Sequence, residues 1–275
     1  MNNSVDKVLT YTIHEVAPYI NWIYFFHAWG FQPKEKERAK AAEAMQLFKE
    51  ANQMLNQLDK NYHVHIIFRL CEANADGDNL ILDGKLFPLL RQQIPHPDGS
   101  PFLCLSDFVR PLSSGIPDTV GIFAASCDGE VELLYENDTY KRMLVQTLAD
   151  RLATEKMHEY VRKVAWGYAK DENLSIPDLL REKFQGIRPA VGYPSLPDQS
   201  VNFLLNDLLH MEQIGITLTE NGAMRPHATV CGLILAHPAA RYFAVGKIGN
   251  DQLEDYARRR KMSVKEIRKF LAANL

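Results

Sequence analysis

The feature that most constrains the fold is a run of apolar residues at helical spacing that leads directly into strands. Its members recur mostly at steps of three and four, with Lys and Glu between them: Ala41, Ala44, Met45, Phe48, Ala51, Leu55 and Leu58. This period is typical of an amphipathic helix, which we place at residues 33–58. A strand is predicted at 63–70, and turn residues at 74–78 predict a hairpin with a second strand at 80–82.

The other elements are predicted from periodicity, helix caps and the positions of proline and glycine. In chain order they are short strands at 103–109 and 119–126, a long helix at 138–164, a helix from 175 to near 186, a helix after Asp198, an antiparallel hairpin of 229–236 with 241–248, and two closing helices. Ser175 with Asp178, and Ser263 with Glu266, have capping-box spacing.

Strands and helices do not alternate regularly along this chain, as they would in a doubly wound fold. No low-complexity linker and no internal repeat divides its 275 residues. We therefore predict a single α+β domain over residues 1–275, with a mostly antiparallel twisted sheet flanked by helices.

Composition excludes several classes of partner. The chain has 31 Lys plus Arg against 34 Asp plus Glu, a formal net charge of −3, so it lacks the basic excess of a nucleic-acid or anionic-membrane surface. No apolar run is long enough to span a membrane, and no export signal is found. The four cysteines form no Cys-x-x-Cys pair, which favours buried, reduced thiols in a cytoplasmic protein.

Familiar catalytic and nucleotide motifs are missing. The sequence has no Gly-x-Gly-x-x-Gly, no Walker-type loop and no Gly-x-Ser-x-Gly elbow. His63 and His65 share a strand face, but no carboxylate or thiol cluster accompanies them in sequence. We interpret them as a structural or solvent-facing pair, and we predict no metal site.

Residues 186–197 form an unusual segment in which three prolines, two glycines and a tyrosine follow a helix. We expect an ordered extended loop whose backbone groups are free to meet a ligand. Arg188 can form a two-point bond with a carboxylate, Gly192 permits close backbone approach, and Tyr193 offers a flat face to a cation or macrocycle. A purely structural Pro/Gly loop has the same residue pattern.

The segment Arg-Pro-Ala-Val-Gly-Tyr-Pro at 188–194 resembles a loop of the activation domain of cobalamin-dependent methionine synthase. Further segments resemble that family in the family's order: Asn-Trp-Ile-Tyr-Phe-Phe at 21–26, Leu-Arg-Gln-Gln at 90–93, Phe-Leu-Cys-Leu-Ser-Asp-Phe-Val at 102–109, Leu-Ala-Asp-Arg-Leu-Ala at 148–153, Val-Arg-Lys-Val-Ala-Trp-Gly-Tyr at 161–168, Glu-Asn-Leu at 172–174, Leu-Thr-Glu at 218–220, Ala-Met at 223–224, His-Pro at 237–238, Tyr-Phe-Ala-Val at 242–245, Asp-Gln-Leu-Glu-Asp-Tyr-Ala-Arg-Arg at 251–259 and Met-Ser-Val at 262–264. The resemblance covers nearly the whole chain.

This resemblance implies a domain that binds S-adenosylmethionine (AdoMet) beside a cobalamin that has oxidised to inactive cob(II)alamin. An electron from a reductant, a flavodoxin in some bacteria, makes cob(I)alamin, which takes the methyl group and returns as methylcobalamin. The domain itself positions the donor. It would be a component of the methyltransferase, with no catalytic residue of its own and no activity alone.

The resemblance also implies the ligand contacts. Arg188 matches the ligand of the methionine carboxylate, and Ala190, Gly192 and Tyr193 match the loop that contacts the donor and faces the corrin. Three further positions match residues bordering the ligand: Tyr242 and Phe243, where the family has Tyr-Tyr, and Glu182. The alternatives are strand packing for Tyr242 and Phe243, and a solvated helix face for Glu182.

Two positions depart from the family pattern. Asn21 stands where the family often has an Asp that contacts the donor's amino group, so the hydrogen-bond acceptor is kept and the charge is lost. The helix near 154–157 is about three residues shorter than the family's, so a second family carboxylate has no assigned counterpart, although Glu155 is near.

The chain contains no Asp-x-His-x-x-Gly cobalamin-ligand motif and is too short for the family's homocysteine, folate and cobalamin modules. We therefore expect it to reactivate, in trans, a methionine synthase that lacks its own activation domain, with a flavodoxin-like reductant. The alternatives are a non-catalytic corrinoid-protein binding or AdoMet-sensing module, and a reactivator of another corrinoid methyltransferase.

Overall fold

The computed structural model describes residues 5–31, 38–95, 97–149 and 154–275. Its strands are β1 (Val5–Thr12), β2 (His63–Asp76), β3 (Asn79–Leu82), β4 (Lys85–Pro88), β5 (Asp118–Cys127), β6 (Thr217–Leu218), β7 (Met224–Arg225) and β8 (Thr229–Ile234). Its α-helices are α1 (Ile13–Val16), α2 (Trp22–Ala28), α3 (Arg38–Leu58), α4 (Thr139–Ala149), α5 (Thr154–Tyr160), α6 (Ile176–Leu180), α7 (Val201–Leu209), α8 (Asn250–Arg260) and α9 (Val264–Phe270).

The central sheet is antiparallel and is organised around the long strand β2. Along one edge of β2, β1 pairs with its first half and β3 with its last four residues, and β4 follows β3. Along the other edge lies β5, which in turn pairs with β8. The small β6–β7 pair stands apart from this sheet. The prediction of an α+β domain with a mostly antiparallel sheet is confirmed.

Both faces of the sheet are buried. Successive side chains along each strand point to opposite faces, so each strand contributes to two cores. Val64, Ile66 and Phe68 of β2 point to a core shared with α1 to α5. Ile67 of β2 and Ile122 of β5 point to the opposite core, which is shared with α7 and with the loop at 186–197. A third, smaller core joins α8 and α9 to residues 243–248.

The predicted hairpin of 229–236 with 241–248 is wrong in its second strand. The strand β8 forms, but residues 241–249 have no regular secondary structure. Val245 and Ile248 are buried against α8 and α9 instead of entering the sheet. The outer edge of β8 is occupied by the loop, with Ile187 opposite Leu235 and Ala190 opposite Gly232.

Three further predictions about secondary structure need correction. The expected strand at 103–109 is a 3-10 turn, Leu105–Phe108, whose start is capped by Asp107 accepting from the Cys104 amide at 2.8 Å. The expected helix at 138–164 is α4 and α5 followed by a π-helical turn, Val161–Ala165, with residues 150–153 outside the described residues. The helix that begins after Ser175 ends at Leu180.

Other predictions are confirmed. The helix predicted at 33–58 is α3, with residues 33–37 outside the described residues, and β2 and β3 form the predicted hairpin. Ser263 and Glu266 form the expected capping box. All four cysteines are buried, and none of them forms a disulfide. None of the described helices combines the length and apolarity needed to cross a bilayer.

Candidate ligand-binding site

The loop at 186–197 lies against the outer edge of β8 and is held there by backbone hydrogen bonds. The amide of Val191 donates to the Cys231 carbonyl at 2.9 Å, and the amide of Leu233 donates to the Pro189 carbonyl at 3.0 Å. Gly232 allows this approach, because a Cβ there would lie 2.2 Å from the Pro189 oxygen. The loop's backbone is thus partly used in pairing, contrary to the expectation of a loop with free backbone groups.

The tip of the loop is the part that remains open. Gly192 has a φ of +86°, in the left-handed region that favours glycine, and no heavy atom lies within 4 Å of a Cβ built there. The next side chain, Tyr193, is 59% exposed. Two backbone hydrogen bonds hold the tip in place. The Gly192 amide donates to the Leu196 carbonyl at 2.9 Å, and the Tyr193 amide donates to the Ala190 carbonyl at 3.3 Å. The tip of the loop is therefore exposed, and its conformation is held by hydrogen bonds within the loop.

Arg188 forms a nearly buried ion pair. Its Nη2 donates to Glu155 Oε2 of α5, and its Nη1 lies 3.1 Å from His158 Nδ1. The side chains of Arg188 and Glu155 are 14% and 9% exposed. Burial lowers the pKa of Arg188, but the negative charge of Glu155, with Tyr242 and Glu182 nearby, outweighs it, so the pKa is raised. The guanidinium therefore stays charged.

Tyr242 contacts the backbone of Arg188. Its hydroxyl accepts a hydrogen bond from the Arg188 amide at 3.0 Å. Partial burial raises the pKa of Tyr242, against the opposing effect of the Arg188 charge, so the phenol stays neutral. A charged arginine, a carboxylate and a neutral phenol thus meet at the part of the loop that pairs along the edge of β8. Such a set can bind an α-amino acid group, because it offers a cation for the carboxylate and an anion for the ammonium.

Comparisons with known proteins identify the family of this chain. The family model described as "Vitamin B12 dependent methionine synthase, activation domain" matches residues 12–261. The chain belongs to this family. A crystal structure of the MetH reactivation domain bound to AdoHcy is similar to it, with 39% sequence identity, a TM-score of 0.92, and coverage of 98% of this chain and 90% of that chain.

The remaining positions carried over from the activation-domain family differ in how close they lie to Arg188. Glu182 is near it: burial of its carboxyl and the charge of Glu155 raise its pKa, while Arg188 lowers it. Glu182 has a φ of +55° just after α6 ends, which turns the chain toward Phe184 and the loop. Phe243 packs below the loop, where its amide donates to Ser195 Oγ at 3.2 Å and its ring lies 6.5 Å from Phe108.

Asn21 lies on the N-terminal segment. Its side-chain oxygen accepts from the Ile23 amide at 3.2 Å and so caps α2. Tyr19, two residues earlier, donates to Glu159 Oε2 at 2.8 Å, one turn along α5 from Glu155. Burial and the hydrogen bond to Glu159 raise the pKa of Tyr19 to about 12, and the negative charge of Glu155 adds a smaller effect in the same direction. This contact ties the N-terminal segment to the helix that holds Arg188.

Glu155 is the site residue that sequence reasoning left unassigned in this activation domain. Its second oxygen, Oε1, is buried and has no hydrogen-bond partner among the described residues. Glu155 and His158 are three residues apart and so share one face of α5, but this spacing alone does not mark either residue as part of a binding site. In sequence, this stretch is about three residues shorter than the family pattern, so the family's second carboxylate has no assigned counterpart there.

Two other features lie outside this site. His65 Nε2 is 2.7 Å from Asp128 Oδ1, and His63 Nδ1 is 3.7 Å from Asp128 Oδ2. Within the described ranges, no group of three or more His, Cys, Asp or Glu is placed to hold a metal ion. A cavity of about 270 Å³ opens among α1, α2 and α3, lined by residues that include Trp22 and Leu55 and by none of the loop residues.

Proposed function

We propose that this chain binds AdoMet at the Arg188 loop and supports reductive methylation of cob(II)alamin on a separate methionine synthase polypeptide. The observation that carries the proposal is the nearly buried Arg188–Glu155 ion pair, formed by the same loop that exposes Gly192 and Tyr193. Membership of the activation-domain family and the AdoHcy bound by the related MetH domain support it. We further propose that residues 1–275 form one such domain.

The Arg188–Glu155 pair can open for the amino-acid portion of AdoMet without leaving a buried charge unpaired. Opening a buried pair is costly when one charge is left alone, and removing one partner typically costs about 3–5 kcal/mol. The α-carboxylate and α-ammonium of AdoMet avoid this cost, since the carboxylate replaces Glu155 at Arg188 while the ammonium meets Glu155. The unpartnered Oε1 of Glu155 fits the second contact. Every charge then remains paired after exchange.

The loop tip is suited to hold the sulfonium end. Beside Gly192 there is room for a ligand to approach the backbone, and exposed Tyr193 offers an aromatic face to a cation or a corrin. In this proposal the corrinoid, bound by the partner, supplies the nucleophile. Residues of this chain bind and orient the donor, an effect that can remove several kcal/mol from a barrier.

The partner and reductant are part of the proposal. We propose that the cobalamin is held by a methionine synthase polypeptide that lacks its own activation domain. A flavodoxin-like protein would supply the electron. This chain would then be a subunit of the methyltransferase that is inactive alone.

Titration calorimetry of the purified protein with AdoMet tests the binding step. We expect a one-to-one complex, and Arg188→Ala should weaken it by roughly 1.5–3 kcal/mol, because a charge-assisted hydrogen bond is lost. Arg258→Ala is the matched control, since Arg258 is 75% exposed and pairs with Asp255 on the surface. Absence of binding at millimolar AdoMet, or equal affinities for wild type and Arg188→Ala, would contradict the proposal.

A further inference from the structure

Behind the Arg188–Glu155 pair lies His158, which is fully buried. Glu155 and His158 are three residues apart on α5 and so share one helix face. Glu155 contacts Nη2 of the guanidinium, while His158 Nδ1 lies 3.1 Å from Nη1. One short helix therefore contacts both terminal nitrogens of Arg188.

The contacts of His158 determine which ring nitrogen carries the proton. Arginine has donors and no acceptor, so Nδ1 must accept and the neutral ring is protonated at Nε2. Nε2 lies 3.3 Å from the Tyr168 hydroxyl, which lies 3.4 Å from the Gln185 carbonyl. Each group donates to the next, from Arg188 through His158 and Tyr168 to the residue that precedes the loop.

The surroundings keep this histidine neutral. Burial, together with the positive charges of Arg188 and Arg162, lowers the pKa of His158 well below its usual value. The Phe184 ring packs edge-on against it at 4.8 Å, and Arg162 lies over the same ring at 4.2 Å. The other ionisable groups facing it are Glu155 and Tyr168. A neutral acceptor does not compete with a ligand carboxylate for the charge of Arg188, whereas Glu155 does.

We propose that His158 is a positioning residue that holds the Arg188 guanidinium in place, through Nδ1 and the His158–Tyr168–Gln185 chain, while Glu155 exchanges for the ligand carboxylate. This inference rests on the proposed role of Arg188. Tyr168 extends the restraint to the start of the loop, where a Cβ on Gly186 would lie 3.1 Å from its hydroxyl. His158 itself does not touch the ligand.

Two ligands distinguish a specific role of His158 in positioning Arg188 from a general role in stabilising the fold. AdoMet carries the carboxylate, and 5′-methylthioadenosine lacks the whole amino-acid portion. We expect His158→Met to weaken AdoMet binding by roughly five- to tenfold, as for one lost hydrogen bond, and to leave methylthioadenosine binding unchanged. His158→Asn keeps an acceptor near the Nδ1 position and should restore most of the loss. In an Arg188→Ala background, His158→Met should have no further effect.

Equal weakening for both ligands, or additive effects of His158→Met and Arg188→Ala, would overturn the inference. If Arg188→Ala binds AdoMet as wild type does, the proposed function fails and the positioning role fails with it. If Arg188→Ala weakens AdoMet binding as expected but His158→Met does not weaken AdoMet binding selectively, only the positioning role of His158 is overturned.

Nitrogen-15 NMR of the wild-type imidazole gives a readout that does not depend on a stable variant. We expect the signals of a neutral ring with unprotonated Nδ1 and protonated Nε2, unchanged across the pH range in which exposed histidines titrate. A proton on Nδ1 would overturn the inference, because that nitrogen could not then accept from Arg188.

Discussion

Glu155 and Arg188 form an ion pair across 33 positions of sequence, joining α5 to the loop that lies along β8. The pair brings a cation and an anion together at Arg188, four residues before the exposed Gly192 of the same loop. We interpret it as the resting form of an amino-acid site, in which Glu155 occupies the place of the ligand carboxylate. The predictions below test this interpretation and the features of the fold that hold the pair.

Replacing Glu155 should distinguish its two proposed roles, as the partner of the ligand ammonium and as a competitor of the ligand carboxylate for Arg188. Glu155→Gln keeps a hydrogen-bonding group but removes the charge, so AdoMet should bind more weakly by about 1–2 kcal/mol as its ammonium loses an anionic partner. Binding of an analogue in which hydrogen replaces the amino group should not be weakened, because the Glu155 carboxylate no longer competes with the ligand carboxylate for Arg188. Calorimetry with both ligands measures the difference. Glu254→Gln, at an exposed position of α8, is the control, and equal changes for the two ligands would contradict the exchange.

Gly232 should be required for the position of the loop. In Gly232→Ala, the new Cβ would collide with the Pro189 oxygen. We expect a loss of roughly 1–3 kcal/mol in the free energy of unfolding, together with weaker AdoMet binding as the loop is displaced. Urea denaturation and calorimetry measure the two effects. Gly129→Ala is the control, because Gly129 has an ordinary φ and open space around its Cβ position; equal stability of the two variants would rule out the close approach.

Asn21→Asp tests whether the N-terminal segment faces the ligand. Asp caps a helix as well as Asn does, so α2 should keep its stability. If Asn21 lies near the donor's ammonium group, the added charge should tighten AdoMet binding by on the order of 1 kcal/mol. The gain should shrink at high salt, since an exposed ion pair is screened. Identical affinities at low salt would show that residue 21 does not face the ligand.

Much of this architecture follows from the sequence because its signals are local. The periodicity of α3, the turn between β2 and β3, and the capping box at Ser263 each depend on a few neighbouring residues. The prediction at 241–248 failed because apolar residues there pack on α8 and α9, and local periodicity does not distinguish that contact from a strand pair.

The same limit applies to the site. Arg188 and the loop stand out in sequence by composition and by resemblance. Glu155 and His158 do not, since their role depends on how α5 packs against a loop about 30 residues later. Gly232 is similar: its importance lies in the distance between two backbones, which the sequence of β8 alone does not report.

The most direct test of the account is methyl transfer to a partner. This protein is mixed with a methionine synthase truncated after its cobalamin domain, in the cob(II)alamin state, with a reductant and AdoMet carrying a labelled methyl group. We predict that the methylcobalamin spectrum appears and that label reaches cobalt faster with this protein than without it, and that Arg188→Ala loses most of the increase. The account is contradicted if the reductant demonstrably makes cob(I)alamin and label still reaches cobalt no faster when the protein is present.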